Sequence, residues 1–360
     1  MKVALVYDRV NKLGGAERVL LALHSLFPSA PLFTSVYSSK QAAWANIFSV
    51  KTSFLQKLPF ARQRHEAFPL LMPMAFESFS FADYDVVISI TSEAAKGIIT
   101  QGKTKHICYC LTPTRYLWSG YDFYFKSRSL RFLAKPAICY LRHWDIIAAQ
   151  RPDIIIAISK EVRQRIKTYY HRDAAVIYPP LFLHSAKKTV KKIEEPPFLL
   201  IVSRLVHYKR IDLAIQACNR LHLPLRIIGS GNELTRLKKM AGPTVTFLGN
   251  LTDDEVITYY KSCQGFIFPG REDFGLTMVE AQHYGKPVLA YHAGGAREII
   301  IEGKTGMFFS EQTVQSMTRA LDKFVHFRYN EEDCREQAGK FTLETFQTEF
   351  MKQIKEVMKN

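Results

Sequence analysis

From residue 198 onward, short apolar runs rich in β-branched residues alternate with amphipathic stretches, and that alternation admits few folds. The strand-like runs are Phe198–Ser203, Leu225–Ile228, Val245–Leu248, Phe266–Phe268, Val288–Tyr291 and Gly306–Phe309. Helical patterns occupy 210–222, 232–241, 253–263, 275–285, 295–302 and 311–327. Strands that are apolar along their whole length are buried on both faces, and crossover helices join parallel neighbours, so the pattern predicts a doubly wound α/β sheet. Thr252-Asp253-Asp254-Glu255 adds helix-start chemistry, a threonine N-cap followed by acids in the first turn.

The first half repeats the theme less regularly, with strand-like runs at Lys2–Tyr7, Leu32–Val36, Val86–Ile90, His106–Cys110, Ile154–Ile158 and Ala175–Ile177. A chain of 360 residues exceeds what one core usually supports, which implies two such domains. The boundaries expected are a first domain at 1–180, a linker at 181–197, a second domain at 198–340 and a terminal helix at 341–360. The linker is rich in Pro, Lys and Glu and lacks an apolar period. The terminal helix carries Leu343, Phe346, Phe350, Ile354 and Met358 at near-helical spacing and is expected to pack back on the first domain. Open α/β sheets bind ligands beyond the carboxyl ends of their strands, so the active site is expected in a cleft between the domains.

Charge narrows the partners. Lys and Arg number 49 against 33 Asp and Glu, a net +16, and residues 101–192 alone hold 18 bases against five acids. Within that window Arg115-Tyr116-Leu117-Trp118, Lys126, Arg128, Arg131-Phe132, Lys135 and Arg142-His143-Trp144 interleave basic and aromatic side chains. Such a surface suits anionic lipid headgroups. Nucleic acid is not expected, because no zinc finger, ribonucleoprotein motif or recognition helix gives the charge a docking element. No run reaches about 18 apolar residues, and the start reads as a strand ending in Asp8 instead of an export signal. The expectation is a cytoplasmic protein, peripheral at the inner face of the membrane. Its six cysteines are scattered, without zinc-ligand spacing, and are expected to be reduced.

Three segments carry chemistry. Gly14-Gly15 follows the first strand and opens a helix, where free backbone N–H groups suit an anion. Arg204 and Lys209, in Ser203-Arg204-Leu205-Val206-His207-Tyr208-Lys209, follow the first strand of the second domain and suit a diphosphate, one as a planar fork and the other as a point charge. In the third, Glu272 precedes Phe274-Gly275-Leu276-Thr277, a second helix-opening turn, and Glu280 falls about two turns into that helix. One carboxylate can accept hydrogen bonds from a sugar and the other from a ribose diol.

The pair Glu272 and Glu280, with seven residues between, resembles the EX7E motif of retaining family 4 glycosyltransferases, two-domain GT-B enzymes that use nucleotide-activated sugars. The same family pattern is matched at Gly14-Gly15-Ala16-Glu17, Val176-Ile177-Tyr178-Pro179-Pro180, Ser203-Arg204, Lys209-Arg210-Ile211-Asp212, Gly229-Ser230-Gly231, Phe247-Leu248-Gly249 and Gly294-Gly295 with Glu298. The resemblance implies a GT-B fold, two Rossmann-like domains facing across a cleft, with the acceptor side in the first and the donor side in the second. It makes Arg204, Lys209 and Glu272 catalytic. It assigns donor binding to Gly14, Gly15, Ser203, Gly229, Phe274, Gly275, Leu276, Thr277 and Glu280 as well. Arg115, Tyr116 and Trp118 lie in Tyr109–Trp118, which resembles bacterial mannosyltransferase-like enzymes of surface polysaccharide assembly and implies an acceptor side there. That subgroup usually carries a histidine where this chain has Leu111. The resemblance implies mannose transfer from GDP-mannose to a glycan, lipid-linked, with no metal and no cofactor. A UDP-sugar transferase and a GT-B nucleotide-sugar epimerase share most of these features, and a basic nucleic-acid-binding protein shares the charge.

Overall fold

In a computed structural model of the chain, residues 1–12, 14–182 and 196–359 are described; most of the linker expected at 181–197 lies outside them. The described residues form two compact units, Met1–Pro180 with Leu343–Asn360, and Leu181–Thr342.

The first unit runs β1 (Val3–Tyr7), α1 (Gly15–Leu26), β2 (Leu32–Thr34), β3 (Val50–Thr52), α2 (Met72–Glu77), β4 (Val86–Thr91), β5 (Lys105–Cys110), α3 (Tyr121–Tyr124), α4 (Arg128–Ala148), β6 (Ile154–Ala157), α5 (Lys160–Tyr170) and β7 (Ala175–Val176). Its strands form one sheet in the order β3-β2-β1-β4-β5-β6-β7, with every pairing parallel. β1 and β4 are buried at every position, as unbroken apolar runs require in a sheet covered on both faces. Their register, Val3 opposite Val86 and Tyr7 opposite Ile90, sets the residues after β1 beside those after β4. β3 departs from the sequence reading: Val50-Lys51-Thr52 is three residues long and only partly buried, too short and polar to show as a strand.

The second unit runs β8 (Leu199–Val202), α6 (Ile211–Leu221), β9 (Leu225–Ile228), α7 (Leu234–Met240), β10 (Val245–Gly249), α8 (Asp253–Ser262), β11 (Gly265–Phe268), α9 (Leu276–His283), β12 (Val288–Tyr291), α10 (Ala296–Ile299), β13 (Gly306–Phe309), α11 (Val314–His326) and α12 (Glu331–Ala338). Its sheet is also parallel, ordered β10-β9-β8-β11-β12-β13. The order in which successive strands are laid down therefore reverses between β8 and β11, and such a switch point opens a crevice at the strands' carboxyl ends. The N-cap expected at Thr252 is present, and Glu255 completes it as a capping box: Glu255 N donates to Thr252 Oγ1 at 3.4 Å, and Thr252 N donates to Glu255 Oε2 at 2.8 Å.

The terminal helix, α13 (Leu343–Lys359), packs within the first unit. Phe346 and Phe350 place their rings 5.9 and 6.1 Å from that of Tyr109 on β5. Its buried stripe is Phe346, Phe350, Ile354 and Val357; Met358 is 44% exposed, because each four-residue step drifts about 40° around the helix and by Met358 the drift from Phe346 is about 120°, whereas Val357 returns to within about 20° of it.

His106 on β5 is fully buried, its Nε2 2.8 Å from Ser89 Oγ, and burial lowers its pKa to about 3. The folded imidazole stays neutral down to that pH, whereas in the unfolded chain it takes a proton near the ordinary value of 6.5. Between those values the unfolded state binds a proton that the folded state does not, so stability falls as pH drops from 6.5 toward 3. Denaturant unfolding at pH 7 and pH 5 is expected to show a smaller acid-induced loss in His106→Gln than in the unaltered protein.

Candidate active site

Two loops meet at the switch point of the second sheet. The first, after β8, continues the strand through Ser203, whose N–H donates to Ile228 O at 3.0 Å. Gly229 has φ +125°, and a Cβ there would collide with the Ser203 carbonyl, so this close approach requires glycine. The loop then tightens into a turn at 207–209 and enters α6. The second loop, after β11, packs on that turn: a Cβ on Gly270 would lie 2.9 Å from Lys209 Cα.

These contacts bring Lys209 Nζ to 2.6 Å from Glu272 Oε1, with the two side chains 16% and 17% exposed. Glu272 Oε1 is buried and holds this ion pair without a hydrogen-bond partner. Lys209 Nζ also lies 5.5 Å from the centre of the Phe268 ring and 5.7 Å from that of Tyr208. The Glu272 carbonyl accepts from Gly295 N at 3.0 Å, and a Cβ on Gly294, at φ +64°, would strike the same carbonyl. The Gly294-Gly295 pair thus clamps the loop that presents Glu272.

Arg204 is exposed, with Nη2 donating to Tyr208 Oη at 3.1 Å. Gly275, at φ +105°, opens α9, whose first turn has no side-chain cap. Leu276 and Thr277 follow it, half-buried, at the helix end that favours anions. Glu280 Oε2 accepts from Tyr260 Oη at 2.9 Å, and the buried Tyr260 ring stacks on Tyr284 at 5.7 Å. Sequence reasoning missed Tyr260; α8 periodicity marks it as core, and only the fold shows that its hydroxyl orients a carboxylate twenty positions on. The Phe274 side chain is buried and packs edge-on against Phe341 at 5.4 Å, so its ring supports the loop.

The other expected site residues belong to the first unit. Gly14, in extended backbone, is the N-cap residue of α1, and Gly15 is its first residue; both are exposed. Leu111 follows β5, half-buried, its N–H donating to Thr91 O at 2.8 Å. Arg115 is half-buried, while the Tyr116 hydroxyl is pushed up in pKa by burial. Trp118 is half-buried; it stacks on Tyr169 at 5.1 Å and donates through Nε1 to Asp145 Oδ2 at 2.7 Å. Asp145 in turn pairs with the buried Lys96 at 2.5 Å and accepts from Tyr170 at 2.8 Å and Thr114 at 2.9 Å. Such a network holds its indole in the fold.

The basic and aromatic stretch resolves mainly into α4. Phe132 and Leu133 are 78% and 76% exposed, with Leu130 and Tyr140 also exposed and Arg128 and Lys135 among them. Among the described residues, no helix is long and apolar enough to cross a membrane, and no group of three or more His, Cys, Asp or Glu could hold a metal ion.

Residues 184–341 match the family described as Glycosyl transferases group 1. O-antigen chain mannosyltransferase C of Escherichia coli is 24% identical over 226 residues, 59% of this chain and 58% of that protein. A GDP-mannose-dependent alpha-(1-6)-phosphatidylinositol monomannoside mannosyltransferase of Mycolicibacterium smegmatis is 26% identical over 198 residues, 47% of this chain and 52% of that protein. The first curated relatives are matched over only 56 to 58% of their own length. Among solved structures, the lipopolysaccharide outer core galactosyltransferase WaaB, in its apo form, superposes with a TM-score of 0.68 at 18% identity, over 98% of this chain and 99% of that one. HepE of Anabaena in complex with UDP gives 0.70 at 18% identity, over 99% and 100%. The fold is therefore GT-B, and the segment 184–341 is similar to the group 1 glycosyl transferases.

Tyr260→Phe removes one hydroxyl and leaves the packing intact. It is expected to cost about 1 kcal/mol in denaturant unfolding, whereas an unchanged midpoint would mean that the bond to Glu280 adds nothing.

Proposed function

We propose that this protein is a retaining hexosyltransferase of family 4 that moves mannose from GDP-mannose to a glycan acceptor, lipid-linked, in the assembly of polysaccharide or lipopolysaccharide. One observation carries the reading: the switch point of the second sheet presents Arg204, the Lys209–Glu272 pair, the open first turn of α9 and the Tyr260-held Glu280 within a segment matching the group 1 glycosyl transferases.

Each group has a task in such a transfer. Cleavage of the bond between the anomeric carbon and the diphosphate oxygen puts negative charge on the leaving group and positive charge on the sugar. Arg204 and Lys209 supply fixed cations for the diphosphate, which lowers the barrier without a metal. When the diphosphate draws Lys209, Glu272 becomes free to accept hydrogen bonds from the sugar. Glu280, oriented by Tyr260, accepts from the ribose hydroxyls. The acceptor oxygen bonds the anomeric carbon on the face that the phosphate leaves, and its proton passes to the departing phosphate oxygen, so configuration is retained.

The mannose assignment draws on the relatives named as mannosyltransferases, one of them GDP-mannose-dependent. A UDP-sugar donor is the second reading, favoured by the likeness to HepE, which was solved with UDP. A membrane-surface acceptor is supported by α4, which exposes Phe132 and Leu133 beside Arg128 and Lys135, a pairing of apolar and cationic groups that suits an anionic bilayer. On this reading the protein works in the cytoplasm, peripheral at the inner leaflet.

Incubation with GDP-mannose and an acceptor extract is expected to yield a new mannosidic bond of retained configuration by NMR. Arg204→Ala and Lys209→Ala are each expected to lower kcat by about a hundredfold or more, as loss of a preorganised charge does. Near-normal turnover in both variants would remove the leaving-group role, and a free sugar epimer would identify an epimerase. In sedimentation with vesicles containing 30% phosphatidylglycerol, roughly the anionic density that makes each cation count, Phe132→Ser with Leu133→Ser is expected to reduce binding at least tenfold. Equal binding would detach α4 from the membrane.

A further inference from the structure

The first sheet has its own switch point, between β1 and β4, and the polar groups gathered there are not used by the donor site. Asp8 is fully buried just beyond β1. It accepts from Thr91 Oγ1 at 3.0 Å and from the backbone N–H groups of Ser92, Ala94 and Ala95 at 2.7 to 2.9 Å, so its capacity is spent on holding the loop after β4. Glu93 sits on that loop with 11% of its side chain exposed. Its Oε2 lies 3.3 Å from Arg9 Nη1 and 3.9 Å from His65 Nε2.

Two buried nitrogens beside this carboxylate have no hydrogen-bond partner, Arg9 Nε and His65 Nε2. His65 is only 1% exposed, and burial together with Arg9 and Lys12 lowers its pKa to about 3, so it is neutral at physiological pH. His65 Nδ1 lies 3.4 Å from Asn11 Nδ2 and 3.3 Å from Glu66 Oε2; we assign the tautomer in which Asn11 donates to Nδ1 and the ring proton sits on Nε2, the nitrogen that faces Glu93. A buried donor without an acceptor costs about 1–3 kcal/mol, and folded chains keep few of them. Here two such donors flank one carboxylate acceptor at the ligand-binding edge of a sheet. Hydroxyl groups match that set, since each donates once and accepts as well.

We infer that Glu93, Arg9 and His65 form a carbohydrate subsite, in which Glu93 accepts from one hydroxyl of the acceptor sugar while Arg9 Nε and His65 Nε2 donate to the oxygens of that hydroxyl and its neighbour. This inference rests on the transferase reading and names the acceptor's contact class on this chain.

The site responds to pH. The groups acting on Glu93 are Asp8 and Arg9 beyond β1, His65 and Glu66 from the turn at 65–67, Lys96 from the turn at 95–97, and Tyr116 from the loop after β5. Burial first, then Asp8 and Glu66, raise the Glu93 carboxyl to about 7 against the pull of Arg9 and Lys96. Below that pH Glu93 is protonated and a weaker acceptor; above it the ionised carboxylate holds a hydroxyl more firmly.

The test measures nucleotide release from GDP-mannose and from UDP-glucose by the full chain, with octyl α-mannoside, octyl α-glucoside and octyl β-galactoside as acceptors. In Glu93→Gln the acceptor KM is expected to rise at least tenfold while the donor KM stays within twofold. The rise of kcat/KM for acceptor through pH 7 should flatten. His65→Phe, which keeps the ring and loses the N–H, should raise acceptor KM as well, and it decides the matter if Glu93→Gln fails to fold. An unchanged acceptor KM in a folded variant overturns the subsite, as does turnover that no glycoside accelerates. Absence of turnover with either donor overturns the transferase reading, and the subsite with it.

Discussion

A lysine and a glutamate 2.6 Å apart, each with about a sixth of its side chain exposed, hold the candidate donor site together. Their loops come from β8 and β11, adjacent in space but separated in sequence by more than sixty residues, and the ion pair is a charged contact across the join. Half-buried, it is neither screened to nothing as on an open surface nor penalised as deep burial would penalise it. It also stores the right charges. An incoming diphosphate competes with Glu272 for Lys209, and an incoming sugar hydroxyl finds Glu272 with an oxygen that makes no hydrogen bond. The glycines around it serve the same end, for Gly229, Gly270, Gly294 and Gly295 each lie where a Cβ would meet backbone of the two loops.

The two sheets use one geometric device for different chemistry. Both are parallel and both reverse winding beside their first strand, β1 in one and β8 in the other. At β8 the switch point offers cations and open amides, which suit phosphate. At β1 it offers Glu93 between two N–H donors, which suits neutral hydroxyls. Asp8 and the Lys96–Asp145 network, wholly satisfied and buried, are the framework that holds the second arrangement in place.

Most strands were legible because fully buried parallel strands leave unbroken apolar runs, and the observed ends differ from the expected ones by a residue or two. β3 was hidden by Lys51, and α12 by a composition in which only Cys334, Gln337 and Ala338 are buried among acids and Arg335. Arg204, Lys209, Glu272 and Glu280 could be singled out because motif spacing and strand-end position are local. Tyr260, Glu93 and His65 could not, since the value of each lies in a partner 20 to 84 residues away: Tyr260 with Glu280, and Glu93 with Arg9 and His65. The packing partners of Trp118 and Phe274 were hidden for the same reason. Only the fold supplies Tyr169 and Phe341 as their neighbours.

The central claim is that the second unit binds a nucleoside diphosphate through these groups, and a thermal-shift panel of GDP, UDP, ADP, TDP and CMP tests it without knowledge of the acceptor. Binding to the folded state alone adds about 2.7 kcal/mol at a hundred times the dissociation constant. The account predicts a GDP-selective rise in melting temperature that Glu280→Ala abolishes. No rise with any nucleotide at millimolar concentration, or an equal rise in Glu280→Ala, would contradict it.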